Sequence, residues 1–264
     1  SELFKFKKYF NDNINNWNVS NVTDMAGMFD GANSFNQPIG VWDVSNVTNM
    51  YGMFHYAKNF NQPIGDWNVS SVTDMHSMFF DANSFNNSLN TWDVSSVNDM
   101  SFMFTRALSF NQSIDLWNVS SVTNMFVMFG ETLSFNEPLN SWNVSNVNHM
   151  SGMFEYAKEF NQPIDSWDVS SVTDMAHMFK GASSFDNPLN SWNVSNVERM
   201  NNMFMGAKSF NQPLDSWKIS SVTFMVCMFC GASLFNQSLN SWYGTIMDNT
   251  NIEISIDNMF YDAL

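Results

Sequence analysis

Basic residues are scarce in this chain of 264 residues: ten Lys and Arg stand against 25 Asp and Glu, a formal charge of −15. Taken as a whole, such a chain repels a phosphate backbone, so no nucleic acid is expected as a partner, and the same charge disfavours anionic membranes. Cysteine is scarcer still, with only Cys227 and Cys230. Two thiols three residues apart do not make a disulfide framework. No Cys or His pair elsewhere completes a zinc site with them, so they read as incidental free thiols and no metal is expected. No apolar run approaches the roughly 18 residues that a membrane span requires, so this segment should not insert. No signal peptide is visible either. The chain opens inside its own repeat pattern, so a leader is simply not part of this segment.

Tryptophan, by contrast, is present with a strict period. Trp17, Trp42, Trp67, Trp92, Trp117, Trp142, Trp167, Trp192, Trp217 and Trp242 fall every 25 residues and are all the tryptophans there are. A gap-free repeat of this length means a stack of near-identical units. Counting each Trp as position 0, the nine full units share Ser at +3, Val at +5, Met at +8 and +11, Phe at +12 and Phe at +18, with Ile or Leu at −3. With 44% hydrophobic and 16% aromatic residues, the stack can bury a continuous core. The tryptophans are expected to be its inward anchors, at about 1.5–3 kcal/mol for each large side chain fully buried.

Two local periods coexist in a unit. Trp and the apolar residue at +2 suit one face of a short extended segment. From Val at +5 onward, apolar residues fall at steps of three, three, one and three, which predicts a short helix with Ser or Thr ahead of it as cap. Phe-Asn-Gln-Pro then reads as a turn. The expected architecture is therefore an α/β repeat solenoid. Each 25-residue turn would hold one short parallel strand and one short helix, with about ten turns in a rod or arc of roughly 50 Å at ~4.8 Å per turn. The wider helices would take the convex side. The whole chain, 1–264, is expected to be a single solenoid domain. Residues 1–16 form a partial N-terminal turn, 17–241 nine full repeats, and 242–264 an irregular C-terminal turn in which Met259-Phe260 and Ala263 echo the template out of register.

The phrase Phe-Asn-Gln-Pro-Leu-x-x-Trp-x-Val-Ser-x-Val-x-x-Met-x-x-Met-Phe-x-x-Ala resembles the BspA-like leucine-rich repeat surface proteins. More narrowly, it is similar to the 25-residue subtype of mycoplasma-type lipoproteins of unknown function. The likeness covers nearly all of residues 3–242. It implies a leucine-rich-repeat-like solenoid shown at the cell surface or extracellularly, an adhesion or interaction role, and no catalytic residues. One departure is plain: the inward Asn of the general pattern is replaced by Val22, Val47 and their equivalents. The Asn one past the second Phe (Asn36, Asn61, Asn86, Asn111, Asn136, Asn161, Asn211, Asn236, with Asp186 in one unit) is a candidate for a backbone-satisfying ladder in its place.

No unit holds a unique reactive cluster, so no enzyme and no cofactor is expected. The histidines His55, His76, His149 and His177 form no constellation, and the recurring Met positions suit a core. The columns flanking Trp differ between units and are mostly polar, with Val41 and Leu116 as apolar members at −1 and Lys218 and Tyr243 ending the one at +1. At +1 they run Asn18, Asp43, Asn68, Asp93, Asn118, Asn143, Asp168 and Asn193, and Asp66 stands at −1. They make a candidate binding face for a protein or glycan partner, set against the plainer reading of a solubilising strip. Weak calcium binding is the cation chemistry such Asp columns offer. The alternative function is a structural scaffold or spacer, as a surface or virion component, that self-associates through its ends or edges.

Overall fold

The computed structural model describes residues 2–244 and 259–261. They wind into one continuous stack of 25-residue turns, the repeat solenoid that the period requires. The expected helix and strand within each turn are not there. Residues 2–239 contain no α-helix and no strand longer than a single residue. Each turn instead meets the next through one isolated parallel bridge at position +7, from Asp24 to Asn49 and on to Phe224. The one helix with described bounds is a three-residue 3-10 turn, Asn240–Trp242. Most of the expected C-terminal irregular turn lies outside the described residues.

The reason is visible in the backbone hydrogen bonds. A helix would send each N–H to a carbonyl four residues back. Here the N–H groups alternate. Those of Met25, Gly27, Phe29 and Gly31 cross to the next turn, to the carbonyls of Asn49, Tyr51, Met53 and His55 at 2.7–2.9 Å. Those of Met28, Asp30 and Ala32 close three-residue-back turns onto Met25, Gly27 and Phe29. A chain of overlapping β-turns thus carries a parallel ladder along one edge. Two residues per turn adopt left-handed backbone to allow it, at +10 and +14: Gly27 and Gly31 (φ 59° and 70°) in one turn, Val127 and Glu131 (φ 52° and 55°) in another. A run of β-turns repeats its inward positions every three residues, as a helix nearly does, and this made the apolar stripe ambiguous.

The apolar columns fill the interior. Met, Phe and Val at the shared positions are almost wholly buried in the inner turns, as are Trp42 to Trp242 at 1–4% exposure. Trp17 is 43% exposed because only the short leading segment packs against it. Its ring meets Phe4 at 5.7 Å. From Trp42 onward each indole N–H donates to the carbonyl of the Ile or Leu 28 residues earlier, for example Trp117 to Leu89 at 2.9 Å and Trp167 to Leu139 at 2.9 Å. A buried indole needs such an acceptor.

Aromatic side chains stack in columns along the solenoid. Rings at +12 repeat at 5.5 Å between Phe79 and Phe104 and 5.6 Å between Phe204 and Phe229. The tryptophans repeat at 6.3 Å between Trp92 and Trp117 and 6.5 Å between Trp167 and Trp192. The segment expected to be a helix is the side that carries the hydrogen bonds between turns.

The Asn column forms the ladder anticipated for it. Asn36 N–H donates to Asn11 Oδ1, Asn61 to Asn36, and the series continues through Asp186 to Asn236, which donates to Asn211. Each link is 2.8–2.9 Å. At the far end Met259 and Tyr261 accept from Phe229 and Gly231 at 3.0 Å, so the ladder resumes after the break in period.

Candidate binding surfaces

The polar columns beside Trp owe their geometry to local backbone chemistry. After each Trp the chain turns sharply, and the +1 side chain accepts from the Ser at +3. Asn18 Oδ1 takes the Ser20 amide at 3.1 Å and hydroxyl at 2.7 Å. Asp43 does the same for Ser45 at 3.1 and 2.6 Å, and Asp93 for Ser95 at 3.1 and 2.6 Å. Asn68, Asn118 and Asn143 hold Ser70, Ser120 and Ser145 alike, and Asp168 and Asn193 hold the amides of Ser170 and Ser195. Asn and Asp are interchangeable here because either supplies the oxygen that an Asx turn requires.

These eight side chains are all exposed, one per turn, in a single column. The Ser hydroxyl first, and its amide second, pull the Asp43, Asp93 and Asp168 carboxyls below their ordinary range. They therefore carry charge throughout the neutral range. Asp66 is exposed on the neighbouring −1 column. Hydroxyls in that column reach back one turn, as Thr91 does to the Gly65 carbonyl at 2.7 Å and Ser191 to Asp165 at 2.6 Å. So the face is regular, fixed at one atom of each side chain, and open to solvent.

Other candidates separate. Cys227 and Cys230 are not free thiols. They are joined as a disulfide with Cα atoms 4.9 Å apart. The cause is local: Cys227 occupies left-handed position +10 (φ 55°), and the tight turn it starts brings +10 and +13 together. His55 Nδ1 lies 2.8 Å from Asp30 Oδ1. His149 lies 4.0 Å from Asp174. Burial lowers the pKa of His177. Among the described residues no three His, Cys, Asp or Glu side chains gather as a metal site. Nor is any helix among them long and apolar enough to cross a membrane.

The last turns carry a feature that none of these columns contains. An open trough of about 910 Å³ runs along the last turns, lined by Lys158, Lys180, Lys208, Tyr156 and Tyr261 with glycines between them. Its signal lay in aligning +13 to +16 across units, where Gly181, Gly206 and Gly231 share a position and the lysines cluster. Tyr261 lies beyond the break in period, so no column led to it.

The sequence matches one family model along its full length, over residues 1–92, 83–185 and 161–264, described as "Mycoplasma protein of unknown function, DUF285". No curated protein matches it. Among solved structures, the chain is 12% identical to a leucine-rich cell surface protein from Faecalibacterium prausnitzii, covering 84% of this chain and 79% of that one with a TM-score of 0.32. It is 8% identical to an internalin from Listeria monocytogenes, over 83% and 87% with a TM-score of 0.21. Scores this low carry neither fold nor function across. The family match stands by itself: the chain belongs to this mycoplasma family.

Proposed function

We propose that this family member is a non-enzymatic interaction or adhesion module whose contact surface is the Asn/Asp column beside the tryptophans. The carrying observation is that eight exposed side chains, Asn18 to Asn193, are each pinned by a Ser and repeat once per turn. Pinning removes rotamer freedom before binding, so less entropy is lost on contact. A row of fixed polar groups suits an extended protein or glycan partner better than a small substrate. A surface or extracellular setting is part of the same proposal. It is supported by the Cys227–Cys230 disulfide, since such bonds persist in oxidising compartments.

The test exploits the interchange seen between turns. Asp43→Asn, Asp93→Asn and Asp168→Asn together keep the Asx oxygen and remove three charges. In a screen of immobilised surface proteins and glycans, the wild type should capture a partner and the triple variant should bind it differently, with an unchanged melting temperature. Equal binding by both to every captured partner would refute this face as the contact.

A further inference from the structure

The trough on the last turns differs chemically from the rest of the molecule. The chain carries 25 acids, yet none lines it, whereas three of the ten basic residues do. Lys158 and Lys208 stand exposed at the same template position two turns apart, about 10 Å at ~4.8 Å per turn. Among the described residues neither has a carboxylate partner. Lys180 is held between them, 2.9 Å from Glu155 and 5.2 Å from the Tyr156 ring centre.

The floor is made by omission. Gly181, Gly206 and Gly231 occupy left-handed position +14 (φ 67–69°), where the turns from Tyr56 to Tyr156 carry Tyr, Asp, Arg or Glu and only the isolated Gly31 matches them. Three glycines in succession remove three side chains and open the channel. Tyr156 overhangs one end, so close that a Cβ on Gly181 would meet its ring at 2.2 Å. Tyr261 stands at the other end, 70% exposed. Ser183 and Ser233 add hydroxyls along one side.

We propose that this trough binds an anionic polysaccharide, a chain of sugars carrying carboxylate or sulfate groups, lying along the stack. Two partly exposed tyrosines, Tyr156 and Tyr261, suit the apolar faces of sugar rings, and spaced ammonium groups suit acidic substituents repeated along a polymer. An acidic peptide fits less well. Its usual route onto a ladder is to add a strand, but the floor has no open edge: the N–H groups of Gly181, Gly206 and Gly231 are already spent on Met205, Cys230 and Tyr261 at 2.7–3.0 Å.

Isothermal titration of the whole chain with hyaluronate, heparin, neutral dextran and poly-glutamate tests this directly. Hyaluronate or heparin should bind, more weakly as salt rises, and dextran should not. The two acidic glycans separate carboxylate from sulfate preference. Lys158→Gln with Lys208→Gln should weaken binding by about tenfold or more. Gly206→Glu should abolish it; Glu131 at the equivalent place shows that the fold accepts a carboxylate there. Asp43→Asn, Asp93→Asn and Asp168→Asn should leave it intact, which separates this site from the face proposed above. The proposal is overturned if neither glycan binds, if the trough variants bind as the wild type does, or if poly-glutamate binds more tightly than both.

Discussion

A single side chain can hold two turns of this molecule together. Asn136 donates its own amide to Asn111 and, through Oδ1, accepts from the Asn161 amide at 2.9 Å and the Gln162 amide group at 3.0 Å. Asn136→Ala leaves a backbone N–H of the next turn without its acceptor, which costs about 1–3 kcal/mol. Asn136→Asp should be nearly neutral, since Asp186 makes the same bond to Asn211 at 2.9 Å. Urea denaturation of the two variants would show the asymmetry, and equal losses would disprove the ladder's role. This column was legible in the sequence because an unbroken polar residue beside a buried Phe has to serve the backbone. The oxygen at +1 was legible as a column but not as a turn lock, because Asn and Asp look like surface variation until the Ser at +3 is seen to bind them.

The element of this fold is a run of β-turns, and its strain falls on two positions. Left-handed backbone is uncomfortable for β-branched residues, yet Val127 adopts it (φ 52°). Val127→Asn should raise stability by up to about 1 kcal/mol, because Asn tolerates this region. Asn202 already occupies the equivalent place (φ 57°). A lower melting temperature in the variant would mean that Val127 packing outweighs its backbone strain. Here the sequence misled for a physical reason. A helix and a chain of three-residue turns bury nearly the same apolar positions, and Met, Phe and Ala favour neither strongly enough to decide. The distinguishing mark was glycine at +10 and +14, present in only some units: Gly27, Gly52 and Gly152 at the first, Gly31, Gly181, Gly206 and Gly231 at the second. Phe102, Arg106 and Tyr156 at the same positions hid it.

At the scale of the whole molecule, every turn touches only its neighbours, so the stack should tolerate loss of a complete unit. Deleting residues 93–117 joins Trp92 to Asn118 and restores the template. The shortened chain should remain folded and monodisperse, with a modestly lower denaturation midpoint. Deleting residues 93–116 shifts every downstream column by one and should yield aggregate. Equivalent behaviour of the two deletions would rule out strict register as the organising constraint. The period made the stack legible at once. The trough was not, because it needs three glycines in line and a tyrosine outside the repeat.

The ladder also has a direction in time. The amides of Met125, Val127, Phe129 and Glu131 find their acceptors only in His149, Ser151, Met153 and Glu155, one turn further along, while the Trp142 indole bonds backward to Ile114 at 3.0 Å. During synthesis each newly emerged turn can dock its indole at once but keeps four backbone donors waiting for a segment not yet translated. The nascent chain therefore always ends in a sticky, half-finished rung. It is satisfied when translation supplies the next 25 residues or, past the break in period, Met259 and Tyr261.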